Sequence, residues 1–235
     1  MKIERNKSGL LSKLLHLFLP DVCVVCEREL LEGEVGACLS CLYKLPKTNN
    51  YKEKDNRAEI LMAGRIPFER IACYCAYSSG GILPPLIHNL KYYHKKEIGL
   101  LLGRMFGEDL ADSDFIKPVD MIVPVPLHPK KKKSRGYNQA EIIAQGISES
   151  TSLPLSTDNL VRVVHNPTQT KRTKTERWGN VKGIFEVVDK QIYEQKHILL
   201  VDDVITTGST IEACGTALQK CSNLKISIAT IGEVF

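Results

Sequence analysis

The sequence contains no apolar run long enough to cross a membrane. A membrane-spanning helix needs about 20 consecutive apolar residues, whereas the most apolar segment, LLSKLLHLFLP, is interrupted by Lys13 and His16 and ends at Pro20. No small-residue cleavage site of a secretory signal follows that segment. Its apolar residues recur at helical spacing, which predicts an amphipathic helix that packs on a domain: Leu11, Leu14, Leu15 and Phe18. We therefore expect a cytoplasmic protein without a membrane span.

Aromatic residues are also scarce, with a single tryptophan, and the chain has neither an internal repeat nor a low-complexity tract. The 235 residues are nevertheless 43% hydrophobic and 25% charged, which excludes a disordered or fibrous protein. A chain of this length buries one α/β core of ordinary size and carries a smaller appendage. The formal net charge is only +5, but the basic residues are clustered, so their local field matters more than the total.

The eight cysteines fall into two groups. The first forms two CxxC knuckles separated by eleven residues, a spacing that brings four thiolates to one tetrahedral Zn²⁺: Cys23, Cys26, Cys38 and Cys41. A redox pair or two disulfides is the alternative, which two knuckles without a secretion signal disfavour. A zinc ion held by four cysteines is a closed, structural site that stabilises a segment too small to fold well alone. The second group is expected in the core, with a metal or redox role as the alternative: Cys73, Cys75, Cys214 and Cys221.

The segment ILLVDDVITTGST, residues 198–210, combines an apolar strand with acidic and hydroxyl-bearing residues. Its first four residues form an uninterrupted β-prone run, which is typical of a central parallel strand covered on both faces. Asp202 and Asp203 follow at the carboxyl end of that strand, where open α/β sheets bind their ligands. The next residues offer hydroxyls and backbone amides to an anion at the start of a helix: Thr206, Thr207, Gly208, Ser209 and Thr210.

This order of residues fits a sugar phosphate. Adjacent carboxylates accept hydrogen bonds from vicinal ribose hydroxyls and hold Mg²⁺ directly or through water, while the hydroxyls and amides take the 5′-phosphate. The alternative is an ordinary strand followed by a helix with a Ser or Thr cap. Because such a cap needs one hydroxyl and no acidic pair, we interpret the segment as a phosphate site with Asp202 and Asp203 as candidate catalytic residues.

A second stretch, DMIVPVPLHPKKKKSRGYNQAEIIAQG, carries a run of basic residues between a predicted buried strand, residues 121–125, and a helix that resumes near Ala140. The loop predicted between them carries five positive charges, which need solvent or an anion nearby: Lys130, Lys131, Lys132, Lys133 and Arg135. Because this loop follows the carboxyl end of a strand, on the same edge as the acidic pair, we favour contact with an anion or nucleic acid. A solvated surface loop is the alternative.

The segment NPTQTKRTKTERWGNVKGIF places further basic residues beside the single tryptophan: Lys171, Arg172, Lys174, Arg177 and Trp178. Basic residues next to an aromatic ring grip a phosphate backbone while the ring stacks on a base. An equally supported interpretation is that Trp178 fixes the segment to the core. Few apolar residues occur from position 165 to position 176, which predicts a mobile loop or lid.

The remaining segments define a predicted domain division. The polar bridge, residues 47–59, is predicted as a linker or surface loop, and IACYCAY as a strand. A helix is predicted over residues 97–110, where glycine recurs every four residues and indicates close packing on a sheet: Gly99, Gly103 and Gly107. We divide the chain into an N-terminal module of amphipathic helix, zinc knuckles and linker, residues 1–60, and a ligand-binding domain, residues 61–235.

The motif DDVITTGST resembles the binding motif for phosphoribosyl pyrophosphate (PRPP) of the type I phosphoribosyltransferases. The resemblance implies that Asp202 and Asp203 contact the ribose, that residues 206–210 surround the 5′-phosphate, and that Mg²⁺ accompanies PRPP. In related enzymes the loop equivalent to the basic run handles pyrophosphate. Purine-salvage enzymes of the hypoxanthine type carry an acid at the position of Thr206, where it faces the base, so the threonine argues against that subclass.

Nearly the whole chain is similar to the ComF competence-protein family. The likeness lies in LPDVCVVC, CLSC, GRIPFER, LIHNLKYYHKKEIG, IVPVPLHPKKKKSRGYNQAE and TQTKRTKTERWGNVKGIF. It implies an α/β fold with an open, mainly parallel sheet of the type I phosphoribosyltransferase kind, flanked by helices, and a small N-terminal zinc-binding module. It further implies a cytoplasmic protein that binds PRPP or a nucleotide and handles single-stranded DNA during natural transformation, beside a helicase-like partner. The alternative is an active PRPP-dependent transferase with a nucleobase or amine acceptor, for which the sequence identifies neither an acceptor site nor a glutaminase half.

Overall fold

The computed structural model describes residues 21–163 and 183–234. Two predicted features lie outside the described residues. One is the amphipathic helix of residues 11–18, and the other is the third basic segment with its predicted nucleic-acid contacts Lys171, Arg172, Lys174, Arg177 and Trp178. Within the described ranges, no helix is both long enough and apolar enough to span a membrane.

The described strands form a central sheet and a separate pair: β1 (Ile71–Tyr77), β2 (Met121–Pro124), β3 (Leu160–Arg162), β4 (Phe185–Val187), β5 (His197–Ile205) and β6 (Lys225–Val234). The central sheet has the order β1-β6-β5-β2, and all its neighbouring strands are parallel. β3 and β4 form an antiparallel pair beside it. The carboxyl ends of the four central strands therefore share one edge, and the predicted open, mainly parallel sheet is confirmed.

The described helices cover both faces of this sheet: α1 (Leu39–Tyr43), α2 (Arg57–Met62), α3 (Leu83–Tyr92), α4 (Lys96–Ala111), α5 (Pro129–Arg135), α6 (Gln139–Thr151) and α7 (Ser209–Leu218). Short 3₁₀ turns lie at Asn50–Lys52 and Lys190–Ile192. One apolar cluster joins the sheet to α3, α4 and most of α6, and a second joins it to α2, α7 and the β3–β4 pair. These flanking helices complete the predicted layered α/β architecture.

Alternate residues of β5 enter the two apolar clusters. Leu199 and Val201 pack in the cluster beneath α3, α4 and α6, whereas Ile198 and Leu200 pack in the cluster beneath α2 and α7. Successive side chains of a strand point to opposite faces, so a strand buried on both faces requires apolar residues at every position. This is the physical reason that the uninterrupted run predicted a central strand correctly.

The glycine stripe of α4 packs against a helix, and the predicted packing on a sheet is wrong. A Cβ atom at Gly103 would lie 3.1 Å from Gly146 Cα of α6 and still closer to the carbonyl oxygen of Ile143. Gly146 in turn faces α4, where its own Cβ would lie 2.7 Å from Arg104 N. The two backbones approach this closely only because neither glycine carries a side chain, and α6 rather than α4 lies directly beside β2 and β5.

The polar bridge, residues 47–59, is hydrogen-bonded along the edge of the sheet. The sequence predicted a linker or surface loop without such contacts. Asn50 Oδ1 accepts from the backbone N–H of Cys73 over 2.8 Å, and Asn56 Nδ2 donates to the carbonyl of Ile71 over 2.8 Å. Glu59 Oε1 accepts from Ile71 N–H over 3.0 Å. These three polar side chains are buried and satisfy the edge of β1, which would otherwise expose unpaired backbone groups.

Candidate functional site

The acidic pair lies where the central strand extends beyond its neighbour. β5 pairs with β2 only as far as Val201 but with β6 as far as Ile205. Asp202 and Asp203 therefore lie within the last part of β5, at the step left by the end of β2. Asp202 and residues 204–211 line an open concavity of about 220 Å³. The predicted phosphate loop, residues 206–210, and one of the two acids therefore share one concavity at the carboxyl edge of the sheet.

The two carboxyl groups of the pair have different surroundings. The backbone N–H of Asp203 donates to Asp202 Oδ1 over 2.8 Å, and Lys91 Nζ at the end of α3 lies 2.9 Å from both carboxylate oxygens of Asp203. Desolvation, and then the neighbouring Asp203 carboxylate, raise the pKa of Asp202. Lys91 was not among the residues predicted from the sequence, although it lies in the motif LIHNLKYYHKKEIG.

The phosphate loop is held from outside by the turn that follows α2. Arg65 Nη1 donates to the carbonyl oxygen of Thr207, and Arg65 Nε donates to Glu212 Oε2 in the first turn of α7 over 3.0 Å. Gly208, with φ of 74°, has the left-handed backbone conformation that favours glycine, and a Cβ there would strike Met62 of α2. The conformation of the loop thus depends on a contact with GRIPFER, a motif to which the sequence alone assigned no role.

The donor set of this edge suits a ribose phosphate accompanied by magnesium. Thr207 Oγ1 and Ser209 Oγ lie 3.0 Å apart, and both side chains are exposed, as are those of Thr206 and Thr210. The first turn of α7 lines the concavity, and the backbone amides at a helix amino terminus attract an anion. The acidic pair would hold Mg²⁺ through the oxygen ligands that this ion prefers. When bound, the ion would neutralise charge on pyrophosphate.

The first basic run lies in a helix, and the predicted loop is wrong. α5 begins at Pro129, and His128 Nδ1 caps it by accepting from the backbone N–H of Lys130 over 3.1 Å. It ends at Arg135, and Gly136 follows in the left-handed conformation. Proline at the first helical position has a preset φ and no N–H to satisfy, and glycine favours the position just past a helix end. These two signals were present in the sequence and mark α5.

The five basic side chains of α5 differ in their partners. Lys132 Nζ lies 3.2 Å from Glu141 Oε2, and Arg135 Nη1 donates to Gln139 Oε1 over 2.8 Å. All of α5 except Arg135 is exposed. In the part of the chain that the structure describes, three lysines have no carboxylate within ion-pair distance: Lys130, Lys131 and Lys133. These lysines are the cations of α5 that remain free to meet an anion.

The end of α3 lies between α5, which we call the basic helix, and the acidic pair. The Arg135 guanidinium lies over the ring of Tyr92, with Cζ 5.2 Å from the ring centroid, and the Arg135 carbonyl oxygen is 2.9 Å from His94 Nδ1. Lys91, one residue before Tyr92, contacts Asp203. The structure therefore brings the predicted basic run and the predicted acidic pair to the same edge of the sheet through α3.

The four knuckle cysteines also converge, and three of them, Cys23, Cys38 and Cys41, belong to the first apolar cluster. Their Sγ atoms all lie within 4.8 Å of one another, and Cys26 Sγ is 3.7 Å from Cys38 Sγ. Tetrahedral zinc with Zn–S bonds of about 2.3 Å sets its sulfurs roughly 3.8 Å apart. Burial by itself raises the pKa of Cys23. Hydrogen bonds from backbone N–H groups, including that of Cys38, lower it by a larger amount, so the pKa falls below its ordinary value, to about 6. The spacing fits a zinc ion, while the second group of cysteines is buried as expected.

The similarity of this chain to known proteins agrees with the fold and with the geometry of the site. The phosphoribosyl transferase domain family matches residues 112–233, which is more than half of the chain. Competence protein F of Haemophilus influenzae is 32% identical over 147 residues, which are 61% of this chain and 64% of that protein. The DNA utilization protein YhgH of Escherichia coli K12 is 27% identical over 215 residues, or 83% of this chain and 89% of that protein. The chain thus spans less than two thirds of the length of competence protein F.

Among solved structures, the glutamine PRPP amidotransferase of B. subtilis superposes with a TM-score of 0.41 at 20% identity. The superposition covers 58% of this chain and 26% of that enzyme. The assignment rests instead on the family match over residues 112–233, on the parallel sheet and on the relatives named above. The chain therefore belongs to the phosphoribosyl transferase domain family and is a phosphoribosyltransferase-like protein of the ComF family.

Proposed function

We propose that this protein binds PRPP or a nucleotide at the carboxyl edge of its sheet and handles single-stranded DNA during DNA uptake. The observation that carries the proposal is the adjacency of an acidic pair, a phosphate loop and a basic helix at one sheet edge. The acids suit ribose hydroxyls and Mg²⁺, the loop suits a 5′-phosphate, and the basic helix suits a polyphosphate chain. PRPP and a ribonucleotide offer ribose hydroxyls and phosphates to this edge, whereas a DNA strand offers its backbone phosphates to the basic helix.

The relatives support the second half of the proposal. Competence protein F and the DNA utilization protein YhgH carry names that refer to DNA uptake and use. We extend that role to this chain, together with a cytoplasmic location and a helicase-like partner. The proposal also includes a structural zinc ion in the N-terminal module, residues 1–60, and PRPP with Mg²⁺ in the second domain, residues 61–235.

The DNA-binding part of the proposal predicts a specific dependence on salt. Displacement of about four counterions from single-stranded DNA gives a slope near −3 when the logarithm of the binding constant is plotted against the logarithm of salt concentration. Filter binding of a labelled oligonucleotide between about 50 and 200 mM salt measures this slope. An absence of binding at low salt would rule out the DNA-handling role.

A second candidate function is transfer of the phosphoribosyl group itself. The observation that favours it is the presence of both carboxylates of a PRPP site beside the phosphate loop, with Lys91 on Asp203. In this function an acceptor nucleophile attacks ribose C1 as pyrophosphate departs, and the basic helix stabilises the departing charge. Mg²⁺ held by the acidic pair would supply further charge neutralisation when bound. The acceptor would be a nucleobase or an amine, and the threonine at position 206 leaves the loop without the acid of hypoxanthine-type enzymes.

Replacement of the acidic pair separates the ligand site from the reaction. The double variant Asp202→Asn with Asp203→Asn keeps the size of both side chains but removes the charges that hold Mg²⁺ and ribose hydroxyls. We expect it to abolish both PRPP binding in calorimetric titration and any pyrophosphate release with a panel of bases and amines. Asp114→Asn is the matched control, because Asp114 is an exposed acid that pairs only with the nearby Lys117 among the described residues.

The outcome decides between the two functions. Pyrophosphate release by the wild-type protein that the double variant lacks would establish the transferase. If the protein binds PRPP but releases no pyrophosphate with any acceptor of the panel, only the binding function is supported. If the double variant binds PRPP as tightly as the Asp114→Asn control, the proposed ligand site is wrong.

A further inference from the structure

Three aromatic side chains form an exposed cluster on the last two turns of α3 and just beyond its end. Tyr92 and Tyr93 are 59% and 62% exposed, and His88, one turn earlier, is exposed as well. The ring centroid of His88 lies 4.9 Å from that of Tyr92 and 5.5 Å from that of Tyr93. Large aromatic side chains normally bury most of their area, so neighbouring exposed rings present an unfilled contact surface. We name these three residues the aromatic cluster.

The aromatic cluster and the basic helix form one continuous surface. Arg135, the last residue of α5, places its guanidinium 5.2 Å from the centre of the Tyr92 ring. Its carbonyl oxygen lies 2.9 Å from His94 Nδ1, just after the cluster. The lysines without carboxylate partners among the described residues extend from this contact along the exposed α5: Lys130, Lys131 and Lys133. Positive charge and exposed rings therefore adjoin each other directly.

We propose that the aromatic cluster is a stacking platform for the bases of a single-stranded nucleic acid whose phosphates lie along α5. This inference rests on the proposed function and identifies the contact surface for the strand. Aromatic rings beside a basic groove are the arrangement by which proteins bind single strands, because every base offers a π-face and every linkage carries a negative charge. The rings provide the contacts with bases, and the lysines provide the contacts with the backbone.

The charge on this surface favours a nucleic acid over a protein partner. Protein–protein interfaces are enriched in tyrosine, but they are depleted of lysine. Here three lysines without carboxylate partners in the described ranges lie on the helix that contacts Tyr92. Burying them against a protein would require a partner rich in carboxylates, whereas a polyphosphate strand supplies one negative charge per nucleotide.

The platform is also linked to the acidic pair through α3. Lys91 directly precedes Tyr92 and holds Asp203 at 2.9 Å. Tyr92 is therefore one residue along α3 from the lysine that contacts the acidic pair. This placement joins the two halves of the proposed function on one surface.

The double variant Tyr92→Leu with Tyr93→Leu tests the platform in the full-length protein. Leucine keeps an apolar side chain at both exposed positions but removes the ring that stacks. Fluorescence anisotropy compares a labelled 20-nucleotide oligo-dT with an abasic strand of the same length and charge. We expect the wild-type protein to bind oligo-dT at least about tenfold more tightly than the abasic strand, and the double variant to bind both alike. The salt dependence of the double variant should equal that of the wild type, because no phosphate contact is removed.

Three controls separate stacking from charge and from general effects of substitution. Tyr43→Leu alters a tyrosine that is 92% exposed on α1 and should leave both affinities unchanged. Tyr92→Phe with Tyr93→Phe keeps the rings and should retain the preference for oligo-dT. Lys130→Gln, Lys131→Gln and Lys133→Gln together should reduce the salt slope by about 2 on either strand, at about 0.7 per phosphate contact.

Each outcome bears on the platform in a distinct way. If the leucine variant binds oligo-dT like the wild type, or if the wild type does not distinguish oligo-dT from the abasic strand, the platform is wrong and the DNA-handling function still stands. The tyrosines would then face another partner. If the wild-type protein binds neither strand, the platform and the DNA-handling function are both overturned.

Discussion

Replacing Gly208 with alanine is expected to weaken PRPP binding strongly. Gly208 has φ of 74°, and a Cβ atom there would lie 2.9 Å from Arg65 Nη1 and still closer to Sδ of the buried Met62. The left-handed conformation costs a residue with a side chain about 1–2 kcal/mol, and overpacking adds about 1–3 kcal/mol. The loop relieves the overlap by moving away from α2, which displaces the hydroxyls of Thr206 and Thr207 from the start of α7. Calorimetric titration with PRPP and Mg²⁺ should show an affinity at least about 30-fold lower, equivalent to about 2 kcal/mol.

Gly80 provides the matched control for this substitution. Its φ of 76° imposes the same backbone strain, but a Cβ at Gly80 meets no atom within 4 Å. Gly80→Ala should therefore lower the stability by about 1–2 kcal/mol while leaving PRPP binding intact. Equal PRPP affinities in the two alanine variants would show that the contact with Met62 and Arg65 does not hold the loop.

Replacing Cys38 with alanine is expected to remove zinc and to unfold the cysteine module. Cys38 is buried, its Sγ lies 3.7 Å from that of Cys26, and its backbone N–H donates to Cys23 Sγ over 3.3 Å. Structural zinc sites in finger peptides contribute about 10–16 kcal/mol on binding. Only part of that will appear here, because the module also packs on the apolar cluster shared with α3 and α4. We expect a loss of several kcal/mol, which lowers the melting temperature by about 10 °C or more.

Metal analysis and thermal unfolding together test this assignment. The wild-type protein should contain about one zinc per chain, and the Cys38→Ala variant close to none. Cys221→Ala is the control, because Cys221 is also a buried cysteine but lies in the other apolar cluster, beside α7. It should retain zinc. A Cys38→Ala protein that lacks zinc yet melts like the Cys221→Ala protein would contradict the structural role of the metal.

Local sequence patterns predicted the elements that have a local cause. The run Ile198–Val201 identified a doubly covered strand because burial on both faces requires apolar residues at every position. The CxxC spacing predicted the convergence of four cysteines because short loops hold each pair of cysteines close together. The charge of the basic run favours a loop, whereas Pro129 and Gly136 are helix signals on either side of it. Lysine is itself a good helix former, so charge alone was no evidence against a helix.

The sequence predicted which helices and strands form better than it predicted which of them pack against each other. The glycine stripe of α4 indicated a closely packed neighbour but did not identify that neighbour as α6. The polar bridge was typical of a linker because its residues are polar. Asn50, Asn56 and Glu59 are polar for a different reason: they bond the edge of β1. A polar side chain that satisfies buried backbone groups and one that faces water look the same in a sequence.

The sequence by itself determined the class of fold, the order of strand, acids and hydroxyls at the phosphate loop, and the two cysteine knuckles, because each depends on residues close together in the chain. Only the tertiary structure decided which distant residues complete the site. Lys91 reaches Asp203 across 112 positions, and Arg65 reaches Glu212 across 147. Such contacts follow from the strand order β1-β6-β5-β2, which brings the ends of separate strands and helices to one edge. No local periodicity encodes that order, because it is set by which apolar faces bury one another when the chain folds.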